Sequence, residues 1–312
     1  MTVRLDAHHH LWNPTRRRPF LDSPGLAAIR GPYWLPELRD IAARCDVDAT
    51  ILVQTIPDEA ETRDFLELAA DSAGLVAGVV GWVDLTGPDV PDRLAALRRA
   101  RGGERLCGVR HAVQAEPDPN WLDRADVRRG IAQVGRAGLT YDLLVKPPQW
   151  GAALRLARDL PEVNVVVDHA GNPPVAGELG PWTRWLAALA DLPNVSVKLS
   201  GLLGLGPVDR VLPVIDHVVS TFTPWRVMAG SDWPVCELFT PASTVWHIHE
   251  LVTARLTAAE RAAVLAGTAR AFYLSAPTRG PRSPRPVGGS VRAMRIDGGR
   301  SSAATNGAIG DG

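Results

Sequence analysis

Short apolar, β-branched runs alternate along the chain with stretches of helical period. The first run, Val3-Arg4-Leu5-Asp6-Ala7, reads as a strand that ends in His8-His9-His10-Leu11-Trp12. Further strands are expected over 49–54, 76–83, 106–111, 140–145, 163–169, 195–200 and 226–232. Helices are expected over 36–45, 58–72, 89–101, 126–136, from Gln149 onward, and over 181–192, 208–220, 244–254 and 258–272. Between the first strand and the first helix, 13–34 is rich in Pro and Arg without a helical period, and reads as a long loop placed to cover a site. Near-continuous apolar strands followed by helices indicate a parallel sheet buried on both faces. Eight such units predict an α/β fold, a (β/α)8 TIM barrel in one domain over 1–275. From 276 to 312 the chain turns to Pro, Gly, Ser and Arg with few apolar residues, the composition of a disordered tail.

Polar residues fall at the predicted strand ends, the rim where barrel enzymes keep their chemistry. They are His8 and His10, Gln54, Trp82 and Asp84, Arg110 and His111, Asp142, His169, Lys198 and Ser200, and Asp232. Side chains two apart in a strand share a face, so His8 and His10 point together while His9 points away. Two imidazoles so placed can grip one cation or polarise one oxygen. A purification tag or a solvated turn would also give three histidines, but these follow a strand-like run and precede Leu11-Trp12. Singly, an aspartate such as Asp232 before Pro234 reads as a turn cap, and Arg110 as an ion-pair partner. Closing a barrel brings all of them to one rim.

Composition narrows the function. Lys+Arg and Asp+Glu are equal at 34 each, so no net field recruits nucleic acid or an anionic membrane. No apolar run is long enough to span a bilayer, and the start lacks the layout of a secretory signal. Cys45, Cys107 and Cys236 are odd in number and far apart, which suits three reduced, buried thiols in a cytoplasmic protein. Ten tryptophans against three tyrosines is unusual; Trp12, Trp82 and Trp121 offer flat faces to a sugar ring, or pack the core. The helix carrying Trp182 and Trp185 reads equally as an interface or as a core face, and the oligomeric state is not legible.

The ordered motifs carry a resemblance. His8-x-His10, Asp168-His169-Ala-Gly-x-Pro and Gly230-Ser-Asp-Trp-Pro resemble the amidohydrolase superfamily, and its amidohydrolase-related (amidohydrolase 2) branch more closely. Together with Asp6-Ala-His-His-His-Leu-Trp12, Gly81-Trp-Val-Asp-Leu85 and Gly108-Val-Arg-His111, the set is similar to the branch's sugar lactonases, the L-fuconolactonase and L-rhamnonolactonase group. The resemblance covers roughly residues 3–275. It implies a distorted barrel and water attack on a lactone carbonyl of a small-molecule sugar lactone. In that reading Asp232 is the general base; His8, His10 and His169 are catalytic and, with Asp232, the ligands of any metal; Arg110 binds substrate. Gln54, Trp82, Asp84, Trp12, His111 and Lys198 complete the expected substrate-binding set. Strand four lacks the carboxylated lysine or glutamate of two-metal relatives, and strand five the ligand histidine of many one-metal ones. The implied cofactor is therefore one divalent ion, Zn2+ or Mn2+, or none. Two other activities stay open: a metal-dependent decarboxylase or hydratase of the same branch, and a non-catalytic sugar-acid-binding barrel.

Overall fold

A computed structural model of the chain describes residues 3–13, 15 and 19–275. The tail expected over 276–312 lies outside the described residues. Among the described residues eight strands pair in parallel, in chain order, into a nearly closed (β/α)8 barrel. They are β1 (Leu5–His9), β2 (Ala49–Val53), β3 (Val76–Gly81), β4 (Leu106–His111), β5 (Thr140–Leu143), β6 (Val165–Val167), β7 (Val195–Lys198) and β8 (Val227–Met228). Around them run α1 (Leu35–Arg44), α2 (Glu59–Asp71), α3 (Val90–Arg99), α4 (Ala125–Arg136), α5 (Trp150–Asp159), α6 (Gly180–Ala190), α7 (Val208–Phe222), α8 (Ala242–Thr253) and α9 (Ala258–Ala262). Within the described residues no helix is long and apolar enough to cross a membrane.

The expected strand positions hold, but β3, β5 and β7 each stop two residues short of the expected end, and three further differences shape the barrel. β8 spans two residues where seven were expected, and the barrel closes through single bonds, Ala7 N to Ala229 O, Asp232 N to His8 O and His10 N to Trp233 O. β6 stops at Val167, because His169 and Ala170 take left-handed backbone (φ 52° and 49°). The last expected helix is α for only five residues and then π-helical over Ala263–Gly267 and Arg270–Leu274. The 13–34 loop is not wholly irregular either, since 3-10 turns span Pro19–Asp22 and Pro24–Ile29.

Two cores result. The larger lies between strands and helices, where apolar residues of both layers meet. The smaller fills the barrel from below, where Leu5, Ile51, Val80, Val166 and Met228 meet Ala266, Ala269, Phe272 and Tyr273 of the π-helical segment. Apolar side chains thus close the N-terminal end of the barrel, and its polar residues are left to the C-terminal half.

Candidate active site

β1 delivers the histidines through a bulge. Asp6 pairs with Thr50 and His9 with Leu52, so three steps on β1 match two on β2. An extra residue re-aims the side chains that follow it. Asp6, which strict alternation would align with His8, instead accepts from Ser231 N (2.9 Å) and Ser231 Oγ (2.5 Å) and braces the turn after β8. Burial pushes its carboxyl up to about 6. His9 reaches Thr50 Oγ1 at 2.9 Å, away from the site, as the alternation predicts.

His8 and His10 converge, with their Nε2 atoms 3.2 Å apart and each 3.6 Å from Asp232 Oδ1. His10 Nδ1 lies 2.8 Å from the Val53 carbonyl. A carbonyl only accepts, so that nitrogen carries the proton and Nε2 presents a bare lone pair. His8 Nδ1 lies 3.2 Å from Asp168 Oδ1 and 3.3 Å from Lys198 Nζ. Two arrangements satisfy the pair. Either Lys198 donates to His8 Nδ1 and His8 Nε2–H donates to His10, or His8 donates to Asp168 and a cation lies between the two Nε2 lone pairs. Burial keeps both imidazoles neutral, holding them well below the usual histidine range. Neutral imidazole is the form that binds metal. Tetrahedral ligation at Zn–N distances of about 2.0–2.1 Å sets nitrogens roughly 3.3 Å apart, close to the spacing found. His8, His10 and Asp232 therefore fit one small divalent ion. The Nδ1 contacts to Val53 and Asp168 supply the outer hydrogen bonds that such ligands need.

Asp232 and His169 both depend on left-handed backbone. Asp232 has φ 60° in the turn braced by Asp6 and Ser231, and Ser231 Oγ also accepts from Trp233 N at 3.0 Å. Burial raises the Asp232 carboxyl above its usual range. The His169 turn is propped by indoles: Trp182 Nε1 donates to Ala170 O and Trp150 Nε1 to Gly171 O, both at 2.8 Å. Trp185 stacks on Trp150 (5.1 Å, 13°) and donates to its carbonyl, so the Trp-rich helix is a core face. His169 is left partly exposed, with Nδ1 2.9 Å from Ser200 Oγ and its ring 4.7 Å from that of His8.

Beneath the histidines lies a buried charge ladder. Lys198 Nζ donates to Asp142 Oδ2 at 2.6 Å and lies 3.0 Å from Asp168 Oδ1. Tyr273 Oη donates to Asp142 Oδ2 at 2.8 Å and Thr140 Oγ1 to Oδ1 at 3.2 Å. Arg110 Nη1 donates to Asp168 Oδ2 at 3.1 Å and lies 3.4 Å from His8 Nε2. Its Nε and Nη2 donate to Gln54 Oε1 at 3.2 and 2.9 Å. Burial alone would neutralise Lys198, yet Asp142 and Asp168 outweigh it and carry the ammonium above its ordinary range. Asp168 moves the other way: burial opposes its charge, but Lys198 and His8 hold it well below the usual carboxylate range.

The expected substrate-binding residues divide accordingly. Trp12 is fully buried against Leu21, Ile29 and Tyr33, with Nε1 donating to Ile29 O, so it packs the loop and has no face for a ligand. Lys198 is likewise not a rim residue; it is fully buried and paired with two carboxylates. Gln54 spends its side-chain oxygen on Arg110, and Asp84 caps its own turn by accepting from Thr86 N and Oγ1 at 3.0 and 2.7 Å. Trp82, half-buried, donates to His111 Nδ1 at 3.1 Å, and His111 Nε2 is 2.7 Å from Glu116 Oε1 while its ring stacks on Trp121. Sequence reasoning left Asp142 and Asp168 without roles and missed Tyr273 altogether. Asp168 had a signal, since it precedes His169 in the motif; Tyr273 had none.

Comparison with known proteins gives a consistent result. The family model described as amidohydrolase matches residues 5–274. The chain is 37% identical over 243 residues to an L-fucono-1,5-lactonase of Burkholderia ambifaria, covering 76% of this chain and 82% of that one. An L-fucono-1,5-lactonase of Burkholderia multivorans is 35% identical over 302 residues, covering 87% and 96%. A crystal structure of a Burkholderia multivorans amidohydrolase with bound zinc superposes with a TM-score of 0.79 at 35% identity, covering 87% of this chain and 99% of that one.

Proposed function

The chain belongs to the amidohydrolase family, and on that premise we propose that it opens a sugar-acid 1,5-lactone of the L-fucono type by water attack on the lactone carbonyl. The observation that carries this reading is the buried Asp232 carboxylate, 3.6 Å from Nε2 of both His8 and His10. A base whose pKa is raised toward the working pH takes a proton from water more effectively, and such catalysis is worth about 10²–10⁴-fold.

Asp232 accepts one proton from water, and the hydroxide adds to the carbonyl carbon. The electron pair of the carbonyl goes to its oxygen, where the Arg110 guanidinium beside His8 and the His169 imidazole stabilise the charge. Collapse breaks the bond between the carbonyl carbon and the ring oxygen. The proton on Asp232 returns to that oxygen, directly or through His169, and the product is a hydroxy acid. A divalent ion held by His8, His10 and Asp232 would polarise the carbonyl and acidify the water. Gln54 and Asp168 orient Arg110 and His8, and Lys198 keeps Asp168 ionised. At β5, Asp142 is committed to Lys198, Thr140 and Tyr273, which favours the lactonase over the decarboxylase reading.

The test is proton release on a panel of aldonolactones, with metal content assayed and chelation applied in parallel. Release on L-fucono-1,5-lactone or a close epimer is expected, and Asp232→Asn is expected to lower kcat by about 10²–10⁴-fold with the fold intact. No release from any lactone overturns the proposal. Lactone binding by wild type and Asp232→Asn alike, without turnover, leaves a binding barrel in its place.

A further inference from the structure

We propose that Ser200 is a positioning residue that sets the tautomer of His169. Its hydroxyl donates to Nδ1, which leaves the proton of the neutral ring on Nε2, offered to the lactone carbonyl oxygen. His169 then serves as a hydrogen-bond donor and not as a metal ligand. The inference rests on the lactonase reading and adds the separate tasks of its histidines.

The turn after β7 is built around this ring. Ser200 Oγ lies 2.9 Å from His169 Nδ1. Gly201 follows in left-handed backbone (φ 67°), and an added Cβ there would stand 2.6 Å from Nδ1 and 2.9 Å from Cγ. Ser200 is fully buried, and among the described residues His169 Nδ1 is the one hydrogen-bond partner of its Oγ. A hydroxyl can donate or accept. If Nδ1–H donated to Ser200, the buried O–H would be left without an acceptor, at a cost in free energy. Donation from Ser200 satisfies both atoms. It occupies the Nδ1 lone pair, and the hydrogen bond at one ring nitrogen thereby decides the role of the other.

His10 is set in the opposite sense, since its Nδ1–H is spent on the Val53 carbonyl and its Nε2 is bare. Of the two imidazoles packed on His8, at 4.9 and 4.7 Å between ring centres, His10 presents a lone pair and His169 an N–H. By distance alone His8, Asp168 and His169 could also hold a cation. His169 has no lone pair left for it, and the Lys198 ammonium already stands 3.0 Å from Asp168 Oδ1 and 3.3 Å from His8 Nδ1. The Nε2–H keeps its proton throughout, and its bond strengthens as the carbonyl oxygen becomes an oxyanion. A neutral ring has no proton to spare, so Asp232 itself returns the one it took from water to the ring oxygen.

The test reads His169 directly, in long-range proton–nitrogen correlation spectra of protein labelled with ¹⁵N at histidine. The spectra are taken at about pH 8, where an ordinary imidazole is neutral, and His169→Gln identifies the signals by their loss. A bare Nδ1 and a protonated Nε2 are expected, with and without added zinc. In folded Ser200→Ala the two nitrogens should move toward a common shift, and kcat should fall while KM holds. His169→Leu removes the donor and should lower kcat by about 10²–10³-fold, and His169→Gln, which supplies an amide N–H, should recover part of that loss. Protonation of Nδ1, loss of the Nε2 proton on adding zinc, or an unchanged pattern in Ser200→Ala overturns the proposal. Equal losses in His169→Gln and His169→Leu overturn it too. The spectra need no turnover: the expected pattern in a protein that hydrolyses no lactone keeps the Ser200–His169 pairing and overturns the lactonase reading, with the carbonyl role that depends on it.

Discussion

Lys198 sets the problem of the site at the scale of single residues. An ammonium carries its charge into the barrel, and two carboxylates hold it there, Asp142 at 2.6 Å and Asp168 at 3.0 Å. A buried charge whose partner is deleted cannot be resolvated, and such deletions cost about 3–5 kcal/mol. Lys198→Met is therefore expected to lower the unfolding free energy by about that amount in urea titrations. Adding Asp142→Asn to Lys198→Met should recover part of the loss, since one orphaned carboxylate is gone; a double variant no more stable than the single one would contradict the ladder. The sequence-based reading placed Lys198 at the rim because it ends an apolar run. Its true partners lie 56 and 30 residues upstream, and pairing at that range leaves no local pattern. His8 and His10 were legible for the opposite reason, since a two-residue spacing on a strand fixes a shared face. Trp12 was not: an indole beside a histidine triad looks the same in sequence whether it faces a ligand or closes a loop.

Irregularity at the ends of elements does as much as regularity within them. The bulge in β1 separates Asp6 from His8, and left-handed backbone at His169 and Asp232 turns both side chains where a continued strand would not. Period-2 patterns predict strands well and their last residues badly, because these are shaped by contacts from other elements: three indoles at the end of β6, a carboxylate from β1 at the end of β8. α8 adds a prop beneath β8 through His249 Nε2 and Gly230 O at 3.1 Å. Burial lowers that imidazole to about 4, from an ordinary value of 6.5. Its folded pKa is depressed, so the neutral ring contributes fully above pH 6.5. As pH falls from 6.5 toward 4 the unfolded chain takes up a proton that the folded protein refuses, and stability drops by about 3 kcal/mol before levelling off. Other buried groups titrate in the same window, Asp6 with the opposite sign, because burial raises it to about 6. The measurement is therefore a difference: urea stability of His249→Gln minus wild type at pH 7 and pH 4.5. Wild type should lose more on acidification; equal losses would mean that His249 titrates normally.

The barrel as a whole is an upper polar layer on a lower apolar plug, joined by one hydroxyl. Tyr273 packs beneath the strands with Phe272, and its Oη reaches Asp142, so the last described turns of the chain touch the ladder under the active site. Eight strand–helix units were legible in the sequence because each carries its own apolar run; the plug was not, because 258–272 reads as one more surface helix. The family match ends at 274, where the plug ends. We expect residues 276–312 to be dispensable to the barrel and 263–275 not to be. A chain stopped after Ser275 should melt within about 2 °C of the full chain, less than the shift made by roughly 1 kcal/mol in a domain of this size, and keep its kcat. Stopping after Ala262 removes Ala266, Ala269, Phe272 and Tyr273 from the lower core. It exposes the strand starts and strips Asp142 of its phenol partner, Tyr273. That chain should aggregate or melt without a cooperative transition by calorimetry. Tyr273→Phe in the full chain separates the two roles, since it keeps the ring in the plug and removes only the bond to Asp142. Its loss should stay near the 1–3 kcal/mol expected for one unpaired buried acceptor. If stopping after Ser275 collapses the protein, the boundary is misplaced; if stopping after Ala262 does not, the plug is not part of the folding unit.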